Sequence, residues 1–407
     1  MNKPKRPTLT SRPDDAVAQA LRTADADERR ALLRRAEGQR RLAAKVPRWA
    51  EVEALAYPSG LALEQCSSET TAGYKAELAG RLAPDGRRMV DLTGGLGVDF
   101  SFMAPMFDKA VYVEQSEDLC SLARHNFPLL GLTLGEAGRV EVVQADAEIF
   151  VATMPPADLV FIDPARRDNV GRKTVRIEDC RPDLTRLLPS LLERAGVVVA
   201  KLSPMLDIDD AVARLQGVSE VHIVGTAGEC KEVVMVMKAH TATDPVIHMV
   251  DDKSRLNYCR ANEREAVPTY AAEVKHWLYV PSAVVMKAGA FKWTAVRFGL
   301  EKLHPDTHLY TSDVFVADFP GRAIEVTGCY GFSKQEVKRL KTDIGEKANV
   351  AVRHFPETAE TLRRRLKLKD GGDRFVFAVT MADGKHCLIA GRRPTTDYTP
   401  APLLLYI

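Results

Sequence analysis

Between Arg88 and Lys238, short β-branched runs alternate with longer stretches of helical character. The apolar runs are MVDL (89–92), AVYVE (110–114), VEVVQ (140–144), LVFID (159–163) and GVVVAKL (196–202), with helices predicted between them, notably over 116–130 and 181–195. Near-continuous apolar strands separated by helices belong to a parallel sheet covered on both faces. Two further runs, VHIVG (221–225) and EVVMVMK (232–238), are separated only by TAGECK. Six residues hold no helical crossover, so this pair is predicted to be antiparallel and to close the sheet as a hairpin.

The flanks have a different texture. Residues 1–13 are basic and carry three prolines, which predicts a disordered start, whereas 14–45 is rich in Ala, Leu, Arg and Glu and predicts one or two helices. A short helix over 71–82 leads into the turn Pro84-Asp85-Gly86. Beyond Thr243 two small α+β segments are expected, over 270–327 and 329–394; in the second, Asp383-Gly384 between two alternating runs signals a hairpin. The expected division is a helical region at 1–85, a sheet domain at 86–242 and small α+β domains at 243–328 and 329–407.

Composition narrows the class. The chain has 407 residues, 45% hydrophobic and 28% charged, which excludes wholesale disorder. No apolar run reaches the roughly 18 residues of a membrane span. Seven scattered cysteines without a Cys-x-x-Cys pair encode neither a zinc ribbon nor a disulfide framework. With no signal-peptide pattern, a cytoplasmic location is expected. The net charge of +2 conceals a split: +7 over 1–50, −11 over 51–330 and +6 over 331–407. Basic ends around an acidic middle suggest that the ends meet a polyanion.

The candidate chemistry lies at the carboxyl ends of the predicted strands, where open α/β sheets bind ligands. Asp91-Leu92-Thr93-Gly94-Gly95-Leu96-Gly97 follows the first strand; Gly95 and Gly97 let the backbone turn and approach a ligand. The third glycine of a dinucleotide fingerprint is missing, and no P-loop is present. Asp91 instead suits an ammonium group. Glu114, ending the second strand, suits two ribose hydroxyls, and Asp146, before Ala147, suits an adenine amino group. Taken singly, Glu114 and Asp146 also read as helix caps or loop carboxylates. In order at successive strand ends, they describe a site for S-adenosyl-L-methionine. Asp163-Pro164-Ala165-Arg166 ends the fourth strand, where a carboxylate and the Pro164 carbonyl would orient a target amine.

These motifs resemble the class I S-adenosylmethionine-dependent methyltransferases, more narrowly the bacterial ones with a carboxyl-terminal THUMP-like domain and a ferredoxin-like domain before it. The resemblance extends through Glu64–Glu69 with Thr71, Tyr74 and Lys75, Lys201–Asp207, Met286–Phe291, Leu303–Ser312 and Leu366–Asp373. It implies an α/β fold with a Rossmann-like methyltransferase sheet, parallel with an antiparallel closing hairpin, plus amino-terminal helices and two small carboxyl-terminal α+β domains. The cofactor site it implies comprises Thr71, Tyr74, Asp91, Thr93, Gly95, Gly97, Glu114, Asp146, Ala147 and Asp163. The catalytic set is Asp163, Pro164 and Arg166. It also implies RNA, a tRNA or an rRNA, as substrate, since THUMP domains are an RNA-binding class.

The chain departs from the family's amine-modifying pattern, because no aromatic residue follows Asp163-Pro164. The cysteine of carbon-5 pyrimidine enzymes is replaced by Lys201-Leu202-Ser203-Pro204, and Cys180 reads as a small buried residue. Arg166, Arg167, Arg172, Lys173 and Arg176 form a basic loop. Arg363, Arg364, Lys367 and Lys369 form the densest basic cluster, with 363, 364 and 367 on one side of a helix from about Glu357; phosphate contact and a solvated face paired with Glu357 and Glu360 are both readings of it. His304 and His308 have no evident third ligand, so no metal is expected. The competing functions are a non-catalytic RNA-binding protein on this fold, or a methyltransferase for DNA or a small molecule.

Overall fold

A computed structural model describes residues 17–18, 22, 25–58, 61–135, 137–166, 176–239 and 244–394. The chain divides into two compact units, one of residues 1–221 with 232–245 and the other of residues 222–231 with 246–407.

In the first unit the apolar runs form β1 (Arg88–Asp91), β2 (Lys109–Glu114), β3 (Val140–Gln144) and β4 (Ala157–Ile162). A two-residue ribbon, β5 (Ala165–Arg166) with β6 (Cys180–Arg181), precedes β7 (Ala195–Leu202), β8 (Val218–Thr226) and β9 (Glu229–Met237). The sheet runs β9-β7-β4-β1-β2-β3. Neighbours from β7 to β3 are parallel, and β9 pairs antiparallel with β7, matching Val198 to Met237. The closing hairpin is tighter than expected. Its strands run on to Thr226 and Glu229, leaving Ala227 and Gly228, both at positive φ, as the two-residue turn.

Helices Glu117–Leu129 and Leu184–Arg194 fall where predicted. Helix Glu69–Leu82 begins two residues before its predicted start, because Ser68 caps it by accepting from the Thr71 N–H. Helix Ala26–Ala43 lies within the predicted amino-terminal helical stretch.

The core beneath the glycine loop is aromatic. Phe100, Tyr112 and Phe127 are fully buried, with ring centroids 5.1–5.5 Å apart. A Cβ on Gly94 would overlap the Tyr112 ring, and one on Gly97 would lie 2.8 Å from Phe127. The Tyr112 hydroxyl donates to the Gly95 carbonyl at 2.5 Å. The rings thus shape the loop from below, and the glycines are what fits above them.

The second unit contains the hairpin β10 (Val246–Val250) and β11 (Arg255–Tyr258). It also has a sheet of β12 (Trp277–Pro281), β13 (Glu301–Lys302), β14 (Tyr310–Ser312), β15 (Gly321–Tyr330), β16 (Asn349–Arg353), β17 (Arg374–Thr380) and β18 (His386–Arg392). The order is β13-β14-β12-β15-β18-β17-β16, so the two predicted α+β segments share one sheet. Helices Lys334–Ile344 and Ala359–Leu366 cover one face through Leu340, Ile344, Leu362 and Leu366. The predicted Asp383-Gly384 turn joins β17 to β18, with the Gly384 N–H donating to Met381. One expectation is corrected: Cys329 on β15 and Cys387 on β18 are joined as a disulfide. Their residues are distant in sequence but brought together by strand pairing, which Cys spacing does not reveal.

Phe127→Ala removes one ring of a triad in which each ring touches the other two, and leaves a cavity. It should destabilise the first unit by about 3–5 kcal/mol, measured by urea unfolding of the full chain; a loss below about 1 kcal/mol would show that the triad does not hold the loop.

Candidate active site

A cavity of about 810 Å³ opens at the carboxyl ends of β1, β2, β3, β4 and β7. The loop after β1 forms one wall, with Gly95 at φ +55° and Gly97 at φ +84°; Gly97 leads into helix Val98–Met103. Asp91 is 1% exposed and accepts the Thr93 N–H at 2.9 Å; burial pushes its carboxyl well above the usual carboxylate range. Thr93 Oγ1 accepts the Asp163 N–H at 2.6 Å, tying the loop to the end of β4.

Glu114 accepts the Gly95 and Ser116 N–H groups, each at 2.9 Å. Asp146 caps helix Ala147–Thr153, with Oδ1 accepting from Glu148 and Ile149. Both carboxylates therefore do what a bland reading of each predicts, and both line the cavity as well. Among the described residues, eight carboxylate side chains line it against two cations, Arg181 and Lys201. So acidic a wall disfavours a phosphate-rich dinucleotide and suits a ligand carrying positive charge. A cationic sulfonium with an amino-acid ammonium and a nucleoside meets that requirement, and the glycine loop leaves room for its close approach.

The deep end of the cavity holds a network of buried charges. Lys75, from helix Glu69–Leu82, has no exposed side-chain surface; its Nζ lies 2.5 Å from Glu232 Oε1 and 3.2 Å from both Asp99 Oδ1 and Ser67 Oγ. Lys201 Nζ, from β7, lies 2.5 Å from Asp163 Oδ2, 3.5 Å from Asp99 Oδ2 and 3.3 Å from Ser67 Oγ. Ser67 Oγ donates to Asp99 Oδ2 at 2.7 Å. Burial alone would raise Asp99, but Lys75 and Lys201 outweigh it and hold that carboxyl below its ordinary range. Burial raises Asp163 and Glu232 despite their lysines. Burial disfavours the Lys201 ammonium, yet Asp163 and Asp99 overcome this and raise its pKa.

Of the predicted site residues, Asp91, Thr93, Gly95, Gly97, Glu114, Asp146, Ala147 and Asp163 line one cavity. Thr71 and Tyr74 do not: Thr71 is 2% exposed and bonded to its own helix cap at Ser68. Pro164 is buried beside the wall, and Arg166 stands on β5, where it pairs with Cys180 of β6. Arg167, Arg172 and Lys173 lie outside the described residues. Cys180 is buried, as expected. Cys66 does reach the cavity, but its thiol donates to the Leu63 carbonyl and burial raises its pKa. That is the opposite of an activated nucleophile.

The basic cluster differs from the expected helical strip. Helix Ala359–Leu366 ends before Lys367, which takes a left-handed conformation at φ +52°, so 363, 364 and 367 do not share a helix face. Arg363 and Arg364 pair with Glu360, and Lys369 lies 3.6 Å from Glu346. The expectation of no third ligand near His304 is also corrected, since His354 lies beside His304 and Asp306. His304 Nδ1 already accepts the Asp306 N–H at 3.0 Å.

Sequence reasoning missed the roles of Lys75, Asp99, Lys201 and Glu232. Lys201 carried a signal, since a lone charge inside an otherwise apolar strand run must find a buried partner, whereas Glu232 only opens its run beside Lys231. For Lys75 and Asp99 the signal was weaker, since charged residues are common on helices.

A family model described as a ferredoxin-like domain matches residues 277–320, and one described as THUMP domain-like matches 321–393. The chain is 33% identical to a protein of Porphyromonas gingivalis W83 assigned as a methyltransferase, whose crystal structure it matches over 95% of both chains with a TM-score of 0.81. An Escherichia coli protein with the same kind of assignment is 17% identical over 42% of this chain and 88% of its own, with a TM-score of 0.29. An rRNA methylase of Streptococcus thermophilus is 15% identical over 41% of this chain and 95% of its own, again with a TM-score of 0.29. No curated protein matches significantly.

Lys75→Ala removes the buried ammonium that faces Glu232 and Asp99 and should cost about 3–5 kcal/mol. The double change Lys75→Met with Glu232→Leu should recover much of that loss in urea unfolding; equal losses would mean the pair is uncoupled. A second outcome concerns pH. Asp91 has a raised folded-state pKa, so its contribution is fully present below its unfolded pKa and is lost as pH rises through the folded one. Asp91→Asn should therefore flatten the fall in unfolding temperature of the ligand-free protein from about pH 4 upward; an unchanged pH profile would contradict the raised pKa.

Proposed function

We propose, from the premise that this chain belongs to the bacterial class I methyltransferase family with a carboxyl-terminal THUMP-like domain, that it methylates RNA using S-adenosyl-L-methionine. The observation that carries the proposal is the acidic, glycine-walled cavity at the strand ends, with Asp91, Glu114 and Asp146 at successive strands. In this reading Asp91 faces the amino-acid end of the cofactor, Glu114 the ribose and Asp146 the adenine. When bound, the cofactor supplies a methyl group on a cationic sulfur, and the carboxylate surplus favours that charge. Asp163 stands at the reacting end of the cavity and meets the acceptor.

The substrate assignment is supported by the match at 321–393 and by the +6 charge of residues 331–407. Arg364, Lys367 and Lys369 are exposed, and the carboxylates beside Arg364 and Lys369 are surface partners. Such pairs contribute about 0–1 kcal/mol, so a phosphate can replace the carboxylate at little cost. We assign the RNA to the tRNA or rRNA class and the protein to the cytoplasm. No helix of the described residues is long and apolar enough to cross a membrane.

S-adenosylhomocysteine should raise the unfolding temperature of the wild-type chain, and Asp91→Ala should abolish that shift. Absence of any shift in the wild type would overturn the cofactor assignment. For RNA, the triple change Arg364→Glu, Lys367→Glu and Lys369→Glu should weaken tRNA or rRNA binding at least tenfold. It should also flatten the salt dependence of log K by about 2–3. Binding with an unchanged salt slope would remove this cluster from the interface.

A further inference from the structure

We infer that the atom methylated is a hydroxyl oxygen, the ribose 2′-OH of RNA, and that Lys201 and Asp163 activate it. The inference rests on the RNA methyltransferase reading above and adds to it the chemical class of the acceptor.

The expectation of an amine acceptor requires Asp163 to present a free carboxylate to planar N–H groups. The carboxylate it presents already has a cation on one oxygen. Lys201 Nζ sits 2.5 Å from Asp163 Oδ2, and both side chains line the cavity, the lysine 12% and the aspartate 36% exposed. The sign of the charge then decides between acceptors. As an amine nitrogen takes a methyl group it becomes more positive, and an ammonium beside it opposes the transfer. As a hydroxyl oxygen reacts it loses its proton and becomes more negative, and an ammonium beside it stabilises that charge. A hydroxyl also needs a base to hold its proton, which an amine under a methyl sulfonium does not.

The lysine is held firmly for such a task. Asp99 and Ser67 grip its ammonium from one side at 3.5 and 3.3 Å. Both are themselves fixed by Lys75, which Glu232 anchors from β9. A third acceptor class, carbon 5 of a pyrimidine, would need a thiolate, and Cys66 points its proton at a carbonyl. Within RNA, the hydroxyl present at every internal nucleotide is the ribose 2′-OH.

In the reaction the 2′-oxygen forms the new C–O bond as the S–CH3 bond breaks, and the bonding electron pair stays on sulfur. The hydroxyl proton passes to the Asp163 carboxylate and from there to water. Lys201 remains an ammonium throughout, donating to the oxygen as its charge develops. Burial raises the Asp163 carboxyl, which improves it as a proton acceptor.

The test uses the full chain, total RNA and cofactor labelled in the methyl group, followed by alkaline digestion of the RNA. A 2′-O-methyl group blocks cleavage of the adjoining phosphodiester, so label should appear in alkali-stable dinucleotides. Label in mononucleotides would place the methyl on a base and overturn the inference, leaving the methyltransferase reading intact. No label in RNA, with stabilisation by S-adenosylhomocysteine retained, would overturn the RNA acceptor and this inference with it. No stabilisation would overturn the reading beneath both. Lys201→Met should reduce transfer about 100-fold or more while keeping the S-adenosylhomocysteine shift, and Lys201→Arg should restore part of the rate. If Lys201→Met does not fold, Asp163→Asn should reduce transfer by a similar factor. Transfer at the wild-type rate in a folded variant would overturn the assigned roles.

Discussion

Lys75 has no exposed side-chain surface, and that burial constrains everything around it. An ammonium taken out of water costs several kcal/mol unless charges of opposite sign meet it at good geometry. Glu232 and Asp99 meet it, and they are desolvated in turn. The partners come from different places in the chain: helix Glu69–Leu82, the start of helix Val98–Met103, and β9. None of these can shift by an ångström without stranding a charge. The network therefore fixes the helix preceding β1, the helix after the glycine loop and the antiparallel strand as one arrangement. Lys201 is attached to its edge, and through Lys201 so is Asp163.

The sheet was legible because its strands are short apolar runs bounded by turns, and five of them recur where the runs stand. The hairpin turn was read too long, since Thr226, Glu229 and Lys231 are not apolar and a strand with exposed residues loses its signature. The shared sheet of the second unit was not legible. Strand pairing over long separations, such as β12 with β15, depends on which edges meet, and a local pattern does not encode that. The same applies to Cys329 with Cys387.

At the site, legibility followed the backbone. Gly95 and Gly97 were readable because positive φ and close packing leave few alternatives. The carboxylates at strand ends were readable by position, but not their double use. Asp146 gives Oδ1 to the helix cap and keeps Oδ2, and Glu114 spends one lone pair of each oxygen on a backbone N–H. A cap and a ligand contact are thus compatible in one side chain, and the choice between them was a false one. The lysines were less legible still. What makes Lys201 consequential is a partner 38 positions away, and the sequence marks only that a charge sits inside an apolar run.

On the proposed RNA reading, electrostatics also gives a reason for a second, basic element. Among the described residues the cavity sets eight carboxylates against two cations, a wall that favours a sulfonium over a phosphate backbone. If the substrate is RNA, as proposed, those described lining residues do not attract it. Attraction has to be generated elsewhere, by cations whose existing partners are exposed and weakly held. Arg364 and Lys369 are such cations, while Lys75 is not, because its carboxylates are buried with it. The near-neutral sum of the sequence thus joins two opposed requirements. Negative charge is concentrated where the cofactor would be held, and positive charge where a polyanion could first be met.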